Sequence, residues 1–116
     1  MSAPVRIQLR RTSGWRLVSP NRLPIVKVCR PGPWGNRFAV MSEEECQARG
    51  LVRVEDTAAA VREFRAWVTG TKEGLSLLSR AKSELRGKNL ACWCPLFDAQ
   101  GHPFECHADV WLELVN

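Results

Sequence analysis

The chain opens on an alternation, Val5-Arg6-Ile7-Gln8-Leu9, with every second residue apolar. A period of two marks a half-buried strand, and Arg10-Arg11-Thr12-Ser13-Gly14 ends it with turn-forming residues. Pro24-Ile25-Val26-Lys27-Val28-Cys29 predicts a second strand, because Arg30-Pro31-Gly32-Pro33 then forbids further pairing. The period lengthens after that. Ser42 before Glu43, Glu44 and Glu45 predicts a short capped helix, stopped by Gly50. A stronger helix starts at Asp56 or Thr57 and ends before Gly70, with Ala58, Val61, Phe64, Trp67 and Val68 on one face. A third carries Leu75, Leu78, Ala81, Lys82 and Leu85 and stops at Arg86-Gly87. Asn89 to Cys94 reads as a third strand, and Cys106 to Val115 as a last helix burying Val110, Trp111, Leu114 and Val115.

The order β, β, α, α, α, β, α predicts one α/β domain: a small Rossmann-like sheet of three or more strands flanked by helices, in two or three layers. In open α/β sheets the ligand crevice lies beyond the carboxyl ends of the strands. Cys94 and the helix start at Cys106 are expected there. The loop from Arg30 to Phe38 joins them if strands two and three are parallel. Strand one could pair in either direction.

At 116 residues the chain has material for one core and no more. It opens without an apolar leader, and no run approaches the ~18 consecutive apolar residues of a membrane span. A cytoplasmic location and no membrane partner are therefore expected. There the five cysteines would stay reduced, and a cysteine cluster points to metal or catalysis before disulfides. On one strand Cys92 and Cys94 would stand ~7 Å apart, too far for a bond that needs about 4 Å between β-carbons.

Charge is uneven. The net charge is +5, yet the first 42 residues hold Arg6, Arg10, Arg11, Arg16, Arg22, Lys27, Arg30 and Arg37 and no acid. Such a segment attracts phosphates, on a nucleotide or along a nucleic acid, and a solvated basic face is the alternative.

Cys92, Cys94, Cys106 and His107 could together form a Cys3His site for zinc, provided the chain bends before Pro95 to bring the first two sulfurs together. His102 is a substitute ligand or a surface residue. Alternatively the chemistry is that of a thiol. Cys106 at a helix start is the best nucleophile, since unpaired amides and the dipole favour a thiolate. Adjacent helical residues point about 100° apart, so His107 is not expected to act directly on Cys106. Asp109, in the first turn, serves the helix dipole or the crevice. Buried thiols that merely fill the core are the third option. Arg30, Trp34, Gly35 and Asn36 combine a cation, an aromatic platform, a close-approach glycine and an amide; Arg10, Arg11, Thr12 and Trp15 repeat the basic-plus-aromatic composition. In each loop the tryptophan or the arginines could equally serve packing or solvation.

Thr12, Gly14 and Trp15, Arg30-Pro31, Trp34-Gly35-Asn36, Phe38, the run FRAWV and above all LRGKNLACWCPL and CHADVWLELVN resemble the domain-of-unknown-function 4326 family, over nearly the whole chain. That resemblance implies a small phage or bacterial protein and carries no activity with it. The chain departs from the family pattern at Arg37, where proline often follows, and in a longer segment from Phe97 to Glu105.

The leading expectation is a nucleotide- or nucleoside-handling protein. In it Arg30 holds phosphate, Trp34 stacks on the base, Asn36 reads polar edges, and Cys106, His107 and Asp109 supply reactive or orienting groups. The remaining binding set is Arg10, Arg11, Thr12, Trp15, Gly35 and Cys94. The alternatives are an accessory module binding nucleic acid or a host protein through the basic third, and a metal-stabilised domain.

Overall fold

The computed structural model describes residues 3–116. Three short strands form the main sheet: β1 (Arg6–Gln8), β2 (Ile25–Lys27) and, arriving late in the chain, the strand Asn89–Cys92. The last lies between the other two and pairs with both in parallel, which settles the direction of strand one. All four of its residues are buried, whereas the flanking strands are half-buried at best. A parallel central strand is covered on both faces, and Leu90 and Ala91 accordingly show no polar alternation.

Two further strands escape sequence patterning. β3 (Phe38–Ala39) and β4 (Val52–Arg53) make a separate two-stranded parallel sheet, so the central strand is β5. Between them sits α1 (Glu43–Arg49), capped by Ser42, whose hydroxyl accepts from the Glu45 amide at 3.2 Å. Gly50 closes it at φ +69°, a left-handed conformation that glycine adopts without strain.

The main helices are α2 (Thr57–Gly70), α3 (Lys72–Glu84) and α4 (His107–Val115). The Asp56 carboxylate caps α2 through the Ala59 amide at 2.7 Å. Thr71 ends α2 and starts α3: its hydroxyl donates to the Trp67 carbonyl at 2.7 Å and accepts from the Gly74 amide at 2.9 Å. α4 lies against β5 and β1, and α2 and α3 pack on α4. The core is Phe64 and Val68 of α2, Leu78 and Ala81 of α3, Leu85, Leu90, and Val110, Trp111 and Val115 of α4. Two expected core positions differ. Ala58 is exposed while Ala59 and Ala60 are buried, and Leu75 is half in solvent, because the faces that meet α4 are rotated about one residue from the periodic stripe.

Asn89 begins β5 fully buried. Its carbonyl oxygen accepts from the Val5 amide at 3.0 Å, and its amide donates to Asn21 Oδ1 at 2.7 Å and Ser19 Oγ at 3.1 Å. One side chain thus ties the amino ends of the sheet to the long β1–β2 connection.

Candidate functional site

The carboxyl ends of the three parallel strands open onto one hollow of about 500 Å³. Arg11 reaches it from beyond β1, Cys29 and Arg30 from beyond β2, and Cys92, Trp93 and Cys94 from the end of β5. Cys106 and His107 enter at the start of α4, and Arg49 and Glu105 close the rim. This is where strand directions place a crevice in an α/β sheet.

On its wall the three sulfurs of Cys92, Cys94 and Cys106 all lie within 4.8 Å of one another, a grouping that could hold a metal ion. The approach follows from an early strand end. β5 stops at Cys92 and the chain bends at Trp93 and Cys94, so the ~7 Å spacing of an extended C-x-C does not apply.

An arginine the sequence reading left among the general basic charge holds that bend. Arg6 projects from β1 with its side chain only 6 % exposed. Its guanidinium donates to the carbonyls of Cys94 (3.0 Å), Pro95 (3.0 Å) and Phe104 (2.7 Å) and pairs with the Asp109 carboxylate at 3.2 Å. Asp109 in turn accepts from the Cys106 amide at 3.1 Å, completing a capping box. The carboxylate proposed for chemistry is therefore engaged in holding the helix start, and it does not line the hollow.

Cys106 is the residue preceding α4, extended at φ −143°, ψ 152°, and not its first helical position. The 100° rule for helical neighbours does not govern it, and His107 Nδ1 sits 3.6 Å from its sulfur. The angular argument against a direct interaction of the two side chains therefore does not apply. The Ala108 amide also donates to that sulfur at 3.4 Å. His107 is buried, its Nε2 is 2.7 Å from the Val28 carbonyl, and Phe64 packs edge-on against the ring at 5.3 Å.

The thiols perturb one another. Cys92 is held well below the usual thiol range, first by hydrogen bonds from Cys106 and Cys94, against the opposing effect of burial. Cys106 is pushed far up by the neighbouring sulfurs of Cys92 and Cys94, which its single thiol hydrogen faces, and then by burial. For Cys94 the bond with Cys106 works downward but is outweighed by Cys92 and by burial, so its thiol is raised. The helix-start argument put the thiolate on Cys106. Within the cluster the neighbouring thiols work the other way, favouring charge on Cys92 and opposing it on Cys106.

The aromatic-loop expectation is corrected as well. Trp34 is buried in the core, its ring edge-on to Trp111 at 5.7 Å and its carbonyl accepting from the Trp111 indole at 2.9 Å. It has no face to offer a base. Asn36 does border the hollow, but its amide donates to the Ala60 carbonyl at 3.1 Å and its oxygen accepts from the Phe38 amide at 2.9 Å, so its polar edges are engaged. Gly35 serves packing: a β-carbon there would collide with Arg30. Arg10, Thr12 and Trp15 do not line the hollow, and His102 is exposed beside Asp98, away from the thiols. Sequence reasoning missed Trp93 and Arg49. Trp93 is 43 % exposed with the Arg11 guanidinium 4.6 Å from its ring centre. The signal for Trp93 was its alternation with two inward cysteines at the end of a buried strand.

A family model described as Domain of unknown function (DUF4326) matches residues 7–116, and the chain belongs to that family. No curated protein and no solved structure matches it. Among the described residues, no helix is long and apolar enough to cross a membrane.

Proposed function

We propose that this member of the DUF4326 family binds a nucleotide-class anion in the hollow at the carboxyl edge of its sheet. The observation that carries this reading is a surplus of cation at one concave place. Arg11, Arg30 and Arg49 line it with Glu105 as the single acid, and among the described residues none of the three arginines lies within ion-pair distance of a carboxylate. An unpaired arginine fork is matched by a phosphate, and the volume falls within the range of small-molecule sites. Arg30 is already oriented, its guanidinium donating to the Asn36 carbonyl at 3.0 Å. Trp93 supplies the stacking surface first assigned to Trp34, which gives a base-bearing phosphate an advantage over phosphate alone. The same reading takes zinc as the metal of the three cysteines, since thiolates are soft donors that suit it.

The test is a thermal-shift and calorimetric series of nucleoside monophosphates against inorganic phosphate, for the parent chain and Arg30→Ala. A ligand at 100 times its dissociation constant adds about 2.7 kcal/mol of stability. A base-containing ligand that outperforms phosphate, with loss in the variant, supports the proposal. No response at millimolar nucleotide refutes it. So does tighter binding of an oligonucleotide with a steep salt slope, which would instead favour a nucleic-acid partner on the basic face.

A further inference from the structure

We propose that His107 Nδ1 is the fourth ligand of a closed Cys3His zinc centre with Cys92, Cys94 and Cys106. This rests on the reading of zinc as the metal and adds to it which nitrogen of His107 binds, and with it the role of the ion.

The ring's hydrogen bond decides which nitrogen is available. Nε2 lies 2.7 Å from the Val28 carbonyl oxygen, which can only accept, so Nε2 carries the proton. In a neutral imidazole Nδ1 then presents a lone pair, and it lies 3.6 Å from the sulfur of Cys106. Tetrahedral zinc with bonds of about 2.3 Å to sulfur and 2.0 to 2.1 Å to nitrogen sets its ligand atoms about 3.6 Å apart for N and S, and about 3.8 Å for S and S. The Cys106–His107 separation matches the first value, and the sulfurs, within 4.8 Å of each other, need close by no more than about 1 Å, whereas Nδ1 stands outside that grouping and has farther to close toward at least one of the other two sulfurs. Cys94, only half-buried on the bend, is the ligand with most room to do so.

The surroundings are those of a ligating histidine. A metal-bound imidazole normally donates its other N–H to a carbonyl or carboxylate, which fixes tautomer and ring orientation. Here Val28 does this from the end of β2, and Phe64 blocks rotation of the ring from α2. His107 is 5 % exposed. A ring so held is poorly placed to carry protons in the hollow and well placed to keep a lone pair aimed at one point. His102, with a side chain 76 % exposed and paired to Asp98, offers no comparable geometry.

Loading balances simply: a zinc ion displaces whatever thiol protons the cluster still holds, the neutral histidine loses none, and three thiolates around the ion leave one net negative charge. All four positions are filled by protein, so the ion is structural and is not open to a ligand in the hollow. It joins the end of β5, the bend after it and the start of α4, and through Val28 the end of β2. The wall of the hollow is thereby fixed by the metal.

The full chain is purified without chelator, its zinc content measured, and its zinc K-edge X-ray absorption recorded. One zinc per chain with three sulfur neighbours, one nitrogen neighbour and the outer-shell scattering of an imidazole is the expected result. Bound zinc with three sulfurs but no imidazole scattering overturns the role of His107 and leaves the zinc reading standing. No metal retained, and none taken up on titration, overturns both. Cobalt(II) gives a second measure: His107→Phe keeps an aromatic ring against Phe64 but should lower cobalt affinity by more than the 10–100-fold of losing an outer-sphere partner, and should change the tetrahedral d–d bands. Unchanged affinity and bands in a folded His107→Phe overturn the proposal; if that variant does not fold, the absorption spectrum of the parent chain decides.

Discussion

Replacing Arg6 by methionine removes one buried guanidinium and leaves the carbonyls of Cys94, Pro95 and Phe104 without their donor. The bonds to Cys94 and Phe104 are partly buried, and hydrogen bonds to charged groups are worth about 1.5–3 kcal/mol each, so together they account for about 3 kcal/mol or more. The bonds to Pro95 and Asp109 are exposed and are replaced by water; they add about 0.5 kcal/mol between them. A total of roughly 3.5 kcal/mol or more is a large share of the 5–15 kcal/mol by which a domain is stable. Urea unfolding of the metal-free chain, followed by tryptophan fluorescence, measures it. Arg6→Lys keeps the charge and the alkyl stem but cannot fork to three carbonyls, and should recover no more than about half the loss. A loss under about 1 kcal/mol for Arg6→Met, or full recovery by lysine, would refute the claim that this guanidinium holds the cysteine-bearing bend.

Trp34→Ala should destabilise the fold by about 3–5 kcal/mol in the same assay, as buried tryptophans do, while leaving the affinity for any anion in the still-folded fraction nearly unchanged. Asn89→Ala strands the Val5 amide and the partners on Asn21 and Ser19, and should cost about 2–4 kcal/mol. Gly74→Ala gains helix propensity of up to about 1 kcal/mol, yet its β-carbon would run into the Trp67 carbonyl and Val68 backbone, so calorimetry should show a net loss. In metal-free protein, Cys94 and Cys106 keep their protons when the unfolded chain has lost its own, so above about pH 9 the unfolded state binds fewer protons and stability falls as pH rises. Cys106→Ala should flatten that decline in urea unfolding from pH 9 to 10; a stability that climbs over this range would contradict the cluster.

Long periodic elements were legible because burial repeats along them. α2 shows it, with Phe64 and Val68 recurring on one buried face; β5 was legible instead from a short, mostly apolar run soon after a glycine stop. β3 and β4 were not, since two residues carry no period, and Phe38-Ala39 pairs with Val52-Arg53 only through α1 between them. Cys92, Cys94 and Cys106 could be grouped from their bracketing of one strand–loop–helix unit. Arg6 could not: it occupies the polar position of an alternating strand, where an arginine in solvent and one folded over a neighbouring loop look alike. Trp34 was misassigned because a basic, glycine-bearing loop describes composition, and only packing against Trp111 decides which way an indole turns. The contact between Cys106 and His107 depended on a single residue boundary, inside or just outside the helix.

The placement of β5 between β1 and β2 has a bearing on synthesis. Both outer strands emerge early, and neither pairs with the other; each waits for the same partner more than sixty residues further along. Until the ribosome has delivered residues 89–92, the sheet has two open edges and no interior, and the pairings that close it span large sequence separations, which slows folding. A chain cut before Asn89 should therefore be a substrate for chaperones and proteases rather than a smaller folded protein, and arrest of translation near that point should leave the nascent chain sensitive to protease along its whole length.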